Sequence, residues 1–284
     1  MAAAIAVAVV ALAAVAPGAR APAVALHTRT SSLPRPSVVC EDPSDCTPEL
    51  QSALDRGGSI LLSCGQLGAA EPWITRPLRV TQNDTWLGLA AGCVLQAKRG
   101  EFHAESDSLL TIRERSPGLK PADLGRRPVR NASIVGVGGL ATLRMWREDY
   151  NDSRAYNHSQ HRHGIAILNA ADVTVRDLNV SLSGGDGVYV AGLVGGHFQR
   201  VHCTANYRQG SSVIDAQHVL YEDCSFSRTS GTAPMAGVDI EPNGARQSFV
   251  NLTFRRCRSY DNGGGGFLLE LYHLTAQSRP LSVQ

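Results

Sequence analysis

The chain has 284 residues, 43% of them hydrophobic and 18% charged, enough apolar mass to bury a substantial core as one solenoid or one to two globular domains. A formal net charge of +2 gives no strong basic field, and no DNA- or RNA-binding motif is present, so nucleic acid is excluded as an expected partner. Aromatic content of only 6% beside 28 Gly favours a β-rich chain with many turns.

Ala2 to Ala16 are nearly all Ala, Val, Ile and Leu and run into Pro17-Gly18. The run is short for a bilayer span and suits the apolar part of a secretory signal, with a small-x-small site at Ala23-Val24-Ala25. The expected division is a signal peptide over 1–25, a linker over 26–44 and one repeat domain over 45–284. The protein is then secreted, monomeric and free of the membrane once the signal is removed. With no Lys or Arg ahead of the apolar run, a signal anchor or an organellar presequence stays the alternative. Six of the ten Asn residues (Asn83, Asn131, Asn151, Asn157, Asn179 and Asn251) lie in Asn-x-Ser/Thr sequons, which accept glycans only in a secretory pathway. Seven Cys fit an oxidising compartment. Cys40 with Cys46 and Cys64 with Cys93 are candidate pairs, and one Cys must be left over. Cys203, Cys224 and Cys257 read as small buried core residues.

Thr47 to Leu54 predicts one short helix. Thr47 is a suitable N-cap, Pro48 suits the first turn, and Gly57-Gly58 ends it. Strand-like segments follow at Ser59–Ser63, Leu78–Val80, Thr85–Leu89 and Cys93–Gln96. Beyond them the chain repeats. His163-Gly164-Ile-Ala-Ile167, Asp186-Gly187-Val-Tyr-Val190, Gln209-Gly210-Ser-Ser-Val213, Ala236-Gly237-Val-Asp-Ile240 and Gly265-Gly266-Phe-Leu-Leu269 align on a shared Gly, with spacings of 23, 23, 27 and 29 residues. Each Gly is followed by apolar residues, usually one and three places later, which marks strand alternation with those side chains inward. A second repeated element reads Val173 to Leu178, Phe198 to Val201, Tyr221 to Cys224 and Phe254 to Cys257. Five places on come Ser183, Asn206, Thr229 and Asn262, small polar groups able to bond from coil to coil. Short strands at this period predict an all-β, single-stranded right-handed parallel β-helix, with the helix covering its open N-terminal end.

Asp45 to Gln96, a Thr-led helix running into a Gly-Gly-x-Ile strand, resembles the start of pectate-lyase-like and polygalacturonase-like β-helix proteins. Arg162 to Ser278 resembles the right-handed β-helix repeat domain, carried by Gly184-Gly185-Asp186-Gly187-Val188-Tyr189, Asn206-Tyr207-Arg208-Gln209-Gly210, Gly231-Thr232-Ala233-Pro234 and Gly237-Val238-Asp239-Ile240-Glu241-Pro242-Asn243. The resemblance implies the pectin lyase fold, which hosts hydrolases, lyases, epimerases and adhesins. Leu281-Ser282-Val283 reads as the start of a further coil, so a chain truncated at its C-terminus is expected.

Residues two places after each Gly are Ala166, Tyr189, Ser212, Asp239 and Leu268; those four places after are Leu168, Ala191, Ile214, Glu241 and Glu270. Both rows are expected outward on one sheet. Glu241 and Glu270 then lie about 5 Å apart on adjacent coils, and Asp239 and Glu241 about 6.5–7 Å apart on one strand. Paired carboxylates at such separations suit glycoside hydrolysis, since one is pushed up to act as the acid. Catalytic candidates are therefore Asp239, Glu241, Glu270 and Asp186, an exposed acidic ladder being the bland alternative. In the polygalacturonase pattern Asn-Thr-Asp-Gly puts a catalytic Asp at the phase of Asp186. This chain keeps only Asp186-Gly187, has Arg208-Gln209 where an Asp-Asp pair belongs, and lacks the later Gly-His-Gly and Arg-Ile-Lys signatures. Arg208, His163, Arg162 and Tyr189 are candidate substrate contacts. His158, His161 and His163 match no metal-ligand spacing, so no metal is expected there. A polysaccharide lyase using Arg208 as base, with Ca²⁺ against a uronate, is the alternative enzyme. A non-catalytic glycan-binding or adhesion module is the alternative to both.

Overall fold

The computed structural model describes residues 38–64, 72–114 and 128–284. The expected signal peptide, and residues 26–37 of the expected linker, lie outside the described residues. Every strand pairing in the one continuous sheet is parallel, and successive turns of chain stack in three columns. The first column runs through Leu78–Val80, Leu110–Arg113, Ile165–Leu168, Val188–Ala191, Ser211–Val213, Val238–Ile240 and Phe267–Leu269. The second contains Ser59–Leu62, Trp86–Ala90, Ser133–Val137 and then the stretches starting at Val173, Gly196, Val219 and Leu252. The third contains Trp73–Thr75, Val94–Ala97, Ala141–Arg144, Leu178–Ser181, Val201–Thr204, Ser225–Ser227 and Arg258–Tyr260. The chain is a parallel β-helix.

The columns meet at corners where single residues turn left-handed. Asp84, Asn131, Asp172, Gly195, His218 and Asn251 all have positive φ between the first and second columns. Asn and Asp tolerate this region because their short polar side chains bond locally. Between the second and third columns the turning residues are Asp177, Arg200, Asp223 and Arg256. Their charges alternate along the stack, and Arg200 pairs with Asp177 at 2.6 Å and Arg256 with Asp223 at 2.7 Å. Inside, identical phases stack like on like: Tyr221 lies between Phe198 at 4.3 Å and Phe254 at 4.7 Å. At the third bend the polar ladder forms between coils. Asn206 Oδ1 accepts from the Ser183 N–H and its Nδ2 donates to the Val180 carbonyl, and Asn262 does the same for Thr229 and Phe226.

The N-terminal helix, Thr47–Arg56, buries Leu50, Ala53 and Leu54 on the core. Thr47 is its first helical residue and not its cap. The helix follows Cys46, and the Thr47 N–H is taken by Asp45 Oδ1 at 3.1 Å, while the Thr47 hydroxyl accepts from the Arg76 N–H. The reason is Asp45, which is buried and better placed to accept. It also receives Arg76 Nε at 2.8 Å and Lys98 Nζ at 3.0 Å. Burial alone would raise its carboxyl, but these bonds outweigh burial and hold it far below the usual range. Gln51 supplies the edge protection. Its amide donates to the Arg79 carbonyl and accepts from the Arg79 N–H, both at 2.9 Å, which satisfies an otherwise bare strand edge. Disulfides join Cys40 to Cys46 and Cys64 to Cys93. Of the other three Cys, 203 and 224 are buried and 257 is partly exposed. Among the described residues no helix is long and apolar enough to cross a membrane.

Candidate active site

The first column positions the candidate groups. Ala166, Tyr189, Ser212, Asp239 and Leu268 pair in register, one per coil, on its outer side. The second row is interrupted. A bulge at Ile214 slips the ladder so that Ala191 pairs with Asp215, and Ile214 is buried. Beyond it the ladder resumes, with the Glu241 N–H on the Val213 carbonyl and the Glu270 N–H on the Ile240 carbonyl. The rows are also less open than alternation predicts. Asp239 and Ser212 are 0% exposed, because the bend before each Gly folds back over the row and carries its own polar side chains. Gln209 donates Nε2 to Asp239 Oδ2 at 2.7 Å from such a bend.

Asp186 lies in the preceding bend, fully buried. Its Oδ1 accepts the Gln209 N–H at 3.2 Å, and Arg208 Nη1 stands 3.8 Å from its Oδ2. The same guanidinium donates Nη2 to Glu241 Oε2 at 3.3 Å. Arg208 thus ties the Asp186 bend to the acidic strand end. His163 sits beneath, stacked on Tyr189 with ring centroids 4.6 Å apart and planes 10° from parallel. Its Nδ1 accepts the Asp186 N–H at 3.0 Å. That nitrogen therefore carries no proton, and the 3.4 Å approach of Asp186 Oδ2 to it is not an ion pair. Burial agrees, holding the imidazole neutral by pushing it well below its ordinary range. Burial likewise raises the Tyr189 phenol to about 12.

Asp239, Glu241 and Glu270 converge: one carboxylate oxygen of each lies within 4.8 Å of the others. Asp239 Oδ1 is buried without a hydrogen-bond partner. Tyr272, whose side chain is largely exposed, points its hydroxyl at Glu241 Oε1 and Glu270 Oε2, 3.4 Å from each. Asp239 is pushed up to about 7 by burial and then by its neighbours Glu241 and Glu270, with Arg208 pulling the other way. Asp186 is also raised to about 7, by burial, against Arg208.

Seven of the eight residues singled out in the sequence make one connected patch. The exception is Arg162. It is 0% exposed and its guanidinium is used on the carbonyls of Phe102, His103 and Asn157, against the rings of Tyr150 and Tyr156. It pins two loops together and offers no donor to the groove. Gln209 and Tyr272 belong to the patch and were not singled out. Tyr272 has a signal: it continues the parity of 268 and 270. Gln209 has only its position beside Arg208, since nothing local distinguishes an orienting amide from a turn residue. As a cation site, Asp239, Glu241 and Glu270 are the one group of three suitable ligands among the described residues; the His158–His163 loop does not assemble one.

The raised carboxyls make stability fall with pH. Both bind a proton more tightly folded than unfolded, so their contribution is full below about pH 4 and is lost as pH rises through about 7. The midpoint of thermal unfolding is therefore expected to drop between pH 5 and pH 8, by ~2 °C for each kcal/mol lost in a chain this size. Asp239→Asn should flatten that slope in a calorimetric pH series; an unchanged slope would show that Asp239 is not the proton-binding group.

The right-handed β-helix region family model matches residues 148–275, the stretch containing every residue of this patch. No curated protein matches it in sequence. Among solved structures, it superposes on an iota-carrageenase complexed to iota-carrageenan fragments with TM-score 0.53 and 12% identity, over 78% of this chain and 47% of that one. It superposes on tailspike gp49 of Acinetobacter baumannii bacteriophage Fri1, a capsular polysaccharide depolymerase, with TM-score 0.52 and 14% identity, over 75% of this chain and 37% of that one. The chain thus spans less than half the length of either.

Proposed function

We propose that this chain is an extracellular polysaccharide-cleaving β-helix whose chemistry is glycoside hydrolysis by Glu241, Glu270 and Asp239. The observation that carries this reading is the convergence of the three carboxylates within 4.8 Å on the outer side of one column. Glycosidases need two carboxyl groups flanking the bond, and a close pair, about 5–5.5 Å apart, goes with retention of configuration. Glu241 and Glu270 are the two members that reach solvent. Glu241, oriented by Arg208, serves as nucleophile. Glu270, on the next coil, passes a proton to the leaving oxygen and later takes one from water. Asp239 beneath them stays protonated up to about pH 7, so it is the proton store of the group. Asp186 and Arg208 hold the bend beside it, and Tyr189, stacked on His163, walls the groove. The two solved neighbours act on or bind polysaccharides by their own names, and the sequons and disulfides support an extracellular setting.

A second reading has one observation in its favour. The buried, unpartnered Asp239 Oδ1, with Glu241 and Glu270, is an oxygen set suited to Ca²⁺, as β-elimination from a uronate would use. It asks Arg208 to abstract the proton. Although burial lowers Arg208, Asp186 and Glu241 outweigh it and hold the guanidinium above its ordinary value, which favours hydrolysis. The test is a polysaccharide panel on the full chain, reading reducing ends and ultraviolet absorbance together, with and without chelator. Reducing ends without absorbance, unaffected by chelator, are expected. Absorbance lost on chelation would give the lyase. Binding without either product would give a glycan-binding module and overturn both.

A further inference from the structure

We propose that Cys224 and Cys257 form a third disulfide, a covalent clamp between two consecutive coils that a small-molecule disulfide closes and a thiol reopens. The pairing of strands fixes their relation from both sides. Glu222 pairs with Arg255 before them and Ser225 with Arg258 after them, so Cys224 and Cys257 occupy the same position on neighbouring coils. The Arg258 N–H bonds directly to the Cys224 carbonyl at 3.0 Å. Stacked coils are about 4.8 Å apart, inside the roughly 4.4–6.8 Å Cα separation a disulfide spans. Both side chains turn to the same interior bend. Cys224 Sγ lies 3.4 Å from the Phe198 carbonyl and Cys257 Sγ 3.5 Å from the Tyr221 carbonyl, the equivalent carbonyl one coil on.

Reactivity is divided between them. Cys224 is buried and Cys257 partly exposed. The neighbouring Cys224 thiol holds the Cys257 thiol below its ordinary value, which makes Cys257 the attacking sulfur. With glutathione disulfide as oxidant, Cys257 thiolate attacks one of its sulfurs and releases a first glutathione thiolate. Cys224, giving up its proton, then attacks the Cys257 sulfur of the mixed disulfide and releases the second. Two cysteines are oxidised and one glutathione disulfide is reduced to two thiols. The remaining Cys203 has no such partner, since it pairs with Val180 and Phe226 on its two neighbouring coils. That accounts for the odd cysteine in the chain. The clamp closes immediately before Arg258–Tyr260, so it ties down the coil that carries Glu270.

The experiment treats the native full chain with glutathione disulfide, denatures it in acid and alkylates the remaining thiols before mass spectrometry. Expected are one alkylated cysteine, Cys203, and a peptide pair cross-linked through Cys224 and Cys257, with three alkylated cysteines after reduction of the clamp under mild dithiothreitol. Cys257→Ser should leave Cys224 fully alkylated after the same oxidation. Alkylation of both Cys224 and Cys257 in oxidised wild type overturns the proposal. So does a Cys257 that stops at the mixed disulfide, or a Cys203–Cys224 cross-link. The wild-type result decides alone if the variant does not fold.

Discussion

Replacing Glu241 by Gln is expected to lower turnover of a cleaved polysaccharide by about 10²–10⁴-fold, the usual worth of a positioned nucleophile or acid–base group, with substrate affinity little changed. Glu270→Gln should do the same. The two differ in what else they touch. Glu241 accepts from Arg208 at 3.3 Å, so its loss also frees the guanidinium to swing toward Asp186 alone. Glu270 has no cation partner in the group; its contact is Tyr272. Glu241→Gln should therefore show a larger change in the pH profile than Glu270→Gln. In both, a negative neighbour of Asp239 disappears. Glu241 and Glu270 each help to raise Asp239 to about 7, so the basic limb of the activity profile should move to lower pH in both variants. The check is a pH–rate series on purified variants whose unfolding midpoints stay within a few degrees of wild type. Activity retained in Glu241→Gln at more than about a tenth of wild type would remove it from the chemistry and leave the carboxylate group as a binding feature.

The fold was legible because a solenoid writes itself into sequence as a period. The Gly at 164, 187, 210, 237 and 266 marks one bend per coil, and the same phases return as stacked pairs: Ile167 with Val190, Val190 with Val213, Val213 with Ile240. Nearest-neighbour stacking needs only that local information. The spacing also placed Asp239, Glu241 and Glu270 together, since two-residue alternation and coil stacking fix those positions. What the period does not encode is how far each bend folds back. Asp239 is enclosed because the Tyr207–Gln209 bend reaches over it, and the Gln209 bond that closes it spans 30 residues. The bulge at Ile214 is equally silent, being an adjustment to a coil whose length changes from 23 to 27 residues. Arg162 shows the opposite failure. A polar residue at the start of a repeat looks like a groove contact until the carbonyls of Phe102 and His103, some 60 residues earlier, are seen to take its hydrogen bonds.

Tyr221→Ala is expected to be the most destabilising single change, at about 3–5 kcal/mol. Tyr221 is 1% exposed and faces the core in the next-to-last stretch of the second column. Its ring stacks on Phe198 with planes 6° apart and on Phe254 with planes 16° apart, and meets Phe226 edge-on at 6.1 Å. Truncation opens a cavity in the core and forfeits both stacks, each worth about 0.5–1.5 kcal/mol beyond area. It also strands the Ser211 hydroxyl, whose partner at 3.2 Å is the Tyr221 hydroxyl. The ladder makes the position critical. Coils contact only their neighbours, so stability passes along the axis through each interface. Tyr221 joins the coil of Phe198 to the coil of Phe254, and Asp239, Glu241 and Glu270 all follow it in the chain. Tyr221→Phe keeps ring and stacks and loses only the bond to Ser211, about 1 kcal/mol. Thermal unfolding should therefore order wild type, Tyr221→Phe and Tyr221→Ala. With ~2 °C per kcal/mol at this size, the Ala variant should unfold about 6–10 °C below wild type. Protection from hydrogen exchange in Tyr221→Ala should fall first on the strands from Val238 to Leu269, while the coils around Leu87 and Ile134 hold. Equal loss throughout the solenoid would mean that the coils unfold as one unit and that the aromatic ladder does not set the boundary between them.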